Sequence, residues 1–266
     1  MENIENGGIN MKYTVITGAS SGIGYETALA FAARGKNLIL AARREDKLEE
    51  LKRKIEELNQ DVKVIVQSVD LSVAENAHTF YESLKEYELE TWINNAGFGN
   101  FASVSEQKLT KIETMLHLNI EALTILSSLF VRDYENVEGT QLINVSSGGG
   151  YTIVADAVTY CATKFYVSAF TEGLSQELKG RGAKMQAKVL APAATETEFA
   201  QRSMDMSDFE YEGRVPKFHT SKEMAAFMLD LYDSNKTVGL VDGVTYEFQL
   251  KDPIYPYADR ATSSDS

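Results

Sequence analysis

Tyr160 and Lys164 stand four residues apart in Tyr160-Cys161-Ala162-Thr163-Lys164, at the start of a stretch with helical spacing. Side chains at that spacing share one face of a helix, so both can enter one cleft. A free phenol, with a pKa of about 10, is a poor base at neutral pH. A neighbouring ammonium stabilises the phenolate and brings proton exchange toward neutrality. The pattern alone is common, but its surroundings add to it. Upstream, Ser146-Ser147-Gly148-Gly149-Gly150 follows an apolar run. A serine there can hydrogen-bond a carbonyl or alkoxide oxygen, and the glycines keep bulkier groups away. Cys161 reads as a small helix residue rather than a nucleophile. His78, His117 and His219 show no metal-ligand spacing, and no Cys–His cluster exists, so no metal is expected.

The elements that must position these groups alternate. Strand-like runs fall at 13–17, 37–41, 62–66, 91–94, 141–145, 186–190 and 238–248. Helical patterns lie between them, at 23–34, 45–58, 74–87, 105–133, 157–178 and 222–233. Several strands are continuous apolar runs, as in a parallel sheet covered on both faces. Right-handed crossovers then predict an α/β fold with a doubly wound open sheet. Such sheets bind ligands beyond the carboxyl ends of their strands, which is where most of the motifs fall.

The first strand runs into Thr17-Gly18-Ala19-Ser20-Ser21-Gly22-Ile23-Gly24. Glycines allow a tight turn and close approach of backbone to a pyrophosphate, and the next helix offers free N–H groups. The spacing is G-x-x-x-G-x-G. Between a first strand and first helix it points to a dinucleotide. An acidic residue about 20 positions on would grip the ribose 2′-hydroxyl of NAD. The second strand ends instead in Ala42-Arg43-Arg44. A guanidinium suits a 2′-phosphate, so NADP is favoured over NAD; solvated arginines opening a charged helix are the bland alternative. Asp70, beside Leu71, could accept from the adenine amino group, or else cap the next helix, as could Ser72. Asn94-Asn95-Ala96-Gly97 is a small-residue turn after the fourth strand. Asn119, amid apolar residues of the long helix, is either functional or a polar group satisfied by a neighbouring helix.

On these residues the chain resembles the short-chain dehydrogenases/reductases, in the branch with chains of roughly 250 residues. The resemblance covers residues 12–245. It implies a single Rossmann-type domain of about seven parallel strands. It implies Tyr160 as general acid in reduction and general base in oxidation. Lys164 would hold the nicotinamide ribose and depress the tyrosine pKa, and Ser147, rather than Ser146, would position the substrate oxygen. Asn119 would hold a water linking Lys164 to solvent. Gly18, Ser20, Ser21, Ile23 and Gly24 would wrap the cofactor, and Arg43 would meet the 2′-phosphate. Asn95, Ala96 and Gly97 would face the ribose and adenine side. After the sixth strand the family has Pro-Gly and then a threonine. Here Pro192-Ala193-Ala194-Thr195-Glu196-Thr197 keeps Pro192 and Thr197, but alanine replaces the glycine. A mobile lid is implied at 193–219, carrying Phe199, Met204, Met206, Phe209, Tyr211 and Phe218, a set suited to an apolar substrate. Association as a homodimer or homotetramer is implied through helices 111–131 and 158–178, where Met115, Leu116, Leu123, Phe165 and Phe170 also serve a core.

The expected reaction is therefore hydride transfer between NADP(H) and a small-molecule carbonyl/alcohol pair. Competing readings are a nucleotide-sensing protein without turnover, and an epimerase or dehydratase on the same fold. Composition bounds the partners. A net charge of −13, from 39 acidic and 26 basic residues, argues against nucleic acid and against an anionic membrane surface. A lone cysteine cannot form an internal disulfide. With no apolar leader at 1–10 and no apolar run of membrane-spanning length, a cytoplasmic location is expected. The expected organisation is a flexible extension at 1–11, a catalytic domain at 12–250 and a tail at 251–266.

Overall fold

The structure is a computed structural model describing residues 11–204 and 217–258. Met206, Phe209 and Tyr211 of the expected lid, and nearly all of the expected N-terminal extension, lie outside the described residues. The first half runs β1 (Lys12–Thr17), α1 (Gly22–Ala33), β2 (Asn37–Ala42), α2 (Glu45–Leu58), β3 (Val64–Ser68), α3 (Ala74–Ser83) and β4 (Glu88–Asn94). Next come α4 (Leu109–Leu116), a π-helical segment (His117–Ala122), α5 (Leu123–Tyr134) and β5 (Gln141–Val145). Then follow α6 (Val158–Arg181), β6 (Gln186–Ala191), β7 (Thr195–Glu196), α7 (Glu198–Ser203), β8 (His219–Thr220), α8 (Ser221–Asp233), β9 (Val238–Val241) and β10 (Phe248–Lys251).

Eight strands form one sheet in the order β10-β9-β6-β5-β4-β1-β2-β3, parallel except for β10. The last expected strand thus divides in two. Asp242 accepts from the amides of Val244 and Thr245, turning the chain so that β10 returns antiparallel to β9. Successive side chains of a strand point to opposite faces, and here both faces are buried. Ile16, Leu38 and Leu40 pack toward α1, α2 and α8, beside Phe31, Leu51 and Met228. Val15, Ile39 and Trp92 pack toward α3, α5 and α6, beside Phe80, Phe130 and Leu178. α2 is amphipathic: Leu48, Leu51 and Ile55 form its buried stripe, and Glu45 and Asp46 complement its N-terminal dipole.

α6 ends where Gly182 takes a left-handed φ of 68° and returns its N–H to the last turn. α8 opens on a capping box in which Thr220 and Glu223 satisfy each other's backbone amides. The span Leu109–Tyr134 is, contrary to expectation, long and apolar enough to cross a bilayer, but Ala122, Leu126 and Phe130 pack in the core under the sheet. Of the residues expected at a subunit interface, Met115 and Leu123 belong to the core while Leu116 is exposed. Residues 251–258 are no loose tail: Lys251 ends β10, and Tyr255 stacks on Tyr151.

β1 has β2 on one side and β4 on the other. The chain reverses direction there, and a crevice opens outside the carboxyl ends of the strands.

Candidate active site

The crevice is a cleft of about 850 Å³. That volume lies within the range of ligand sites, roughly 300–1,000 Å³. Of the expected cofactor contacts, Gly18, Ser20, Ser21, Ile23, Arg43, Asp70, Leu71, Asn95, Ala96, Gly97, Pro192 and Thr197 line it, with Ser147, Tyr160 and Lys164. Gly24 and Asn119 do not.

The glycine turn is built by close approach. Gly18 has φ of 69°, and a Cβ there would come within 2.8 Å of Ala96 Cα. Gly24 lies behind the turn, where a Cβ would come within 2.5 Å of both Gly18 O and Asn95 Nδ2, so its lack of a side chain serves packing rather than the cofactor. Asn95 also turns inward: its Nδ2 donates to Thr17 O (3.0 Å) and Gly18 O (3.2 Å). It braces the turn from β4, where the sequence had it facing the ribose. Ser21 precedes α1 without a side-chain cap, so the first amides of that helix are left to whatever enters the cleft. An uncapped helix N-terminus behind a glycine turn is a donor set suited to a pyrophosphate.

At the other end of this groove Arg43 is exposed, while Arg44 is tied in. Its guanidinium donates to Ser20 Oγ (3.2 Å) and pairs with Glu198 of α7 at 3.1 Å. Asp70 Oδ1 accepts from Ser72 N (3.0 Å) and Ser72 Oγ (2.7 Å), so one of its oxygens closes the turn into α3.

The reacting end sits on α6 and the loop after β5. Tyr160 and Lys164 are almost fully buried, 7% and 5% exposed. Lys164 Nζ donates to Val145 O at 2.9 Å and lies 5.8 Å from the centroid of the Tyr160 ring. The two adjacent serines part company. Ser146 Oγ donates to Lys164 O (2.9 Å) and meets Ser168 Oγ (2.7 Å), joining the loop to α6. Ser147 Oγ accepts from Gly149 N at 3.0 Å, and its hydroxyl lies close enough to Tyr160 to act on that phenol. A Cβ on Gly149 would sit 3.4 Å from Ser147 Oγ and 3.7 Å from Tyr160 Cε1, so the bare glycine leaves that angle open.

Burial pushes the Tyr160 phenol up, and the nearby Ser147 hydroxyl offsets only part of this. This is opposite to the direction expected from the lysine, because removing the hydroxyl from water dominates. Burial lowers Lys164 to about 8. Asn119 occupies the π-helical segment, a feature frequent at functional sites. Its Nδ2 donates to Phe98 O and Thr163 Oγ1, and its Oδ1 accepts from Phe98 N. A Cβ on Gly97 would lie 3.1 Å from Asn119 Oδ1 and 3.5 Å from Lys164 Nζ, so these groups converge behind Gly97.

Sequence reasoning set Phe199 and Met204 beside an apolar substrate but missed Phe98, Phe101, Tyr151 and Val154 in the same wall. The rings of Phe101 and Phe199 lie 5.7 and 5.5 Å from that of Tyr160. Tyr151, Val154 and Met204 also border the cleft. Phe98 and Phe101 directly follow Asn-Asn-Ala-Gly, and that adjacency was the available signal.

Comparison with known proteins shows the family. The sequence profile of the short chain dehydrogenases matches residues 12–208. An uncharacterized oxidoreductase of Staphylococcus saprophyticus is 30% identical over 196 residues, covering 73% of this chain and 78% of that one. A short-chain dehydrogenase from Sphingobium yanoikuyae in complex with NADPH superposes with a TM-score of 0.78 at 28% identity, over 85% of this chain and 86% of that one. An alcohol dehydrogenase from the archaeon Thermococcus sibiricus, complexed with 5-hydroxy-NADP, gives 0.75 at 25% identity, over 89% and 98%.

Proposed function

Because the chain belongs to the short-chain dehydrogenase family of oxidoreductases, we propose that it interconverts a carbonyl and an alcohol with NADP(H), Tyr160 exchanging the proton. The observation that carries this reading is the convergence of Ser147, Tyr160 and Lys164 in one cleft with the glycine turn and the uncapped start of α1. A bound nicotinamide would supply or accept the hydride.

The chain's own groups do the rest. The first amides of α1 would hold the pyrophosphate of a bound cofactor. Thr197 and Pro192 close the cleft from the β6 side. Lys164 would present an ammonium to the ribose hydroxyls of a bound cofactor, and Val145 O fixes its direction. Ser147 donates to the substrate oxygen and sets it against the Tyr160 hydroxyl. In reduction Tyr160 gives its proton to that oxygen; in oxidation it takes the proton back. Asn119 holds the loop at Phe98 against α6 and keeps one acceptor position on Oδ1 for a water serving Lys164. Phe101 and Phe199 exclude water and favour an apolar, ring-bearing ketone.

NADP is preferred because two arginines border the groove where NAD-type sites place a carboxylate. The NADPH of the Sphingobium enzyme and the 5-hydroxy-NADP of the Thermococcus enzyme support the same choice. The test is NADPH oxidation over a panel of aliphatic, cyclic and aryl ketones, for wild type and Tyr160→Phe. Wild type is expected to turn over the ring-bearing members. The variant should lose at least about 10²-fold in kcat, the lower range of a general acid's contribution, yet still bind NADPH by fluorescence titration. Near-normal turnover by Tyr160→Phe would refute the mechanism.

A further inference from the structure

Two of the chain's four prolines, Pro253 and Pro256, bracket Ile254 and Tyr255 just after β10. Proline has no N–H, so Ile254 and Tyr255 supply the only two amides between Pro253 and Pro256. Both go to one atom: Ile254 N and Tyr255 N donate to Glu172 Oε2, the latter at 2.8 Å. Glu172 is a carboxylate 1% exposed in the middle of α6, and its other oxygen accepts from Tyr151 Oη at 2.6 Å. A buried carboxylate costs heavily unless hydrogen-bonded, and these three donors are what it has here.

The segment also reaches the reacting loop. Tyr255 Oη donates to Gly150 O at 2.5 Å, and the Tyr255 ring stacks on Tyr151 with centroids 5.4 Å apart and planes 13° apart. Gly150 is pressed from the other side by α6, where Ser146 Oγ donates to Lys164 O and meets Ser168 Oγ. The loop that carries Ser147 at one end and Tyr151 at the other is therefore held between α6 and residues 252–258. Both Ser147 and Tyr151 line the cleft.

We propose that residues 252–258 are a strap that sets the position of this loop, and that Glu172 and Tyr255 are positioning residues for the Ser147 hydroxyl and the Tyr151 wall of the substrate cleft. Neither touches the cofactor groove, so their removal should act on turnover and leave cofactor affinity alone. The inference rests on the proposed reaction for its catalytic half only; the docking of the strap is read independently.

The experiment uses the full chain. Amide hydrogen exchange of the 147–152 segment is followed by mass spectrometry in wild type and Tyr255→Phe, which keeps the stacked ring and removes one hydrogen bond. Exchange should speed up severalfold. With the ketone that wild type turns over best, kcat should fall about fivefold, the scale of one buried hydrogen bond, with the NADPH Kd within twofold of wild type. Glu172→Ala should be worse, and Glu172→Gln, which keeps an oxygen for the two amides, should recover part of the loss. Should Glu172→Ala fail to fold, Tyr255→Phe and Glu172→Gln decide the matter. Unchanged exchange in Tyr255→Phe overturns the strap. Faster exchange with unchanged kcat overturns the positioning role. A wild type inactive on every ketone refutes the proposed reaction, and exchange then decides the strap by itself.

Discussion

Three consecutive glycines follow Ser147, and the space around each predicts a different consequence of adding one methyl. On Gly148 a Cβ would meet just one atom, Pro192 O at 3.6 Å, an ordinary contact. Gly148→Ala should leave stability within about 1 kcal/mol of wild type, helped by a loss of unfolded-state freedom of roughly 0.4–1 kcal/mol. On Gly149 the new carbon would sit 3.3 Å from Cys161 Sγ and 3.4 Å from Ser147 Oγ. Stability should again hold, but the methyl stands in the angle between Ser147 and Tyr160. Misplacement by about 1 Å can cost roughly 10²-fold, so kcat should fall at least tenfold. On Gly150 the carbon would come within 2.6 Å of Lys164 O and of Ser168 Oγ, and nearer still to Ser146 Oγ. A backbone carbonyl cannot swing away, so α6 and the loop must separate at Lys164 itself. Overpacking of this kind costs roughly 1–3 kcal/mol. The Ser146 bonds to Lys164 O and Ser168 add about 0.5–1.5 kcal/mol each if broken. After the unfolded-state gain the expected net loss for Gly150→Ala is about 1–5 kcal/mol, with kcat reduced as well. Urea denaturation gives the stabilities and NADPH oxidation the rates. A Gly150→Ala protein as stable as Gly148→Ala, or a Gly149→Ala enzyme at full kcat, would refute this steric argument.

Glu198→Gln removes a carboxylate that competes for Arg44, so NADPH should bind up to about fivefold tighter, the range of an exposed pair, with NADH unchanged; equal tightening of both would disprove the competition. Arg43→Asp should weaken NADPH far more than NADH in the same titration. Lys188, buried on β6, donates to the carbonyls of Leu231, Tyr232 and Ser234 at the end of α8; Lys188→Met should cost roughly 1–3 kcal/mol in urea denaturation. Lys164 is lowered to about 8 in the folded chain against an ordinary 10.5, so between those values the unfolded chain binds more protons. Stability should rise with pH across that window, and the rise should be smaller in Lys164→Met. Activity should move the other way, kcat/KM falling as pH climbs through 8 and the ammonium is lost.

The elements legible in advance were those whose meaning is local. A glycine turn between the first strand and helix, a Tyr–Lys spacing and a serine before three glycines each declare themselves within a few residues. What stayed hidden needed distance or burial. Arg44 meets Glu198 across the cleft, and nothing near either residue announces it. Asn95 lies in a recognisable turn, yet the direction of its amide depends on how closely β1 approaches β4. Asn119 was legible as a polar residue among apolar ones, whereas the π-helical segment that carries it is invisible to periodicity. The stretch 251–258 has no periodicity and two prolines, which is how a tail reads; a single buried carboxylate on α6 makes it part of the site.

Burial also changes the argument about the proton. Spacing showed a cation near a phenol and so predicted a lowered tyrosine. The structure adds that both groups are out of water, which raises Tyr160 and lowers Lys164. A phenol held neutral is a competent donor at any physiological pH, so reduction needs no preceding ionisation of Tyr160. Oxidation does need one, and it must be driven by what the cleft brings to that hydroxyl: the Ser147 hydroxyl, the Lys164 ammonium and the charge that a bound oxidised nicotinamide would add. The two directions should therefore differ in pH dependence: a flat acid limb for ketone reduction, and a rate rising with pH for alcohol oxidation until Lys164 loses its proton near 8.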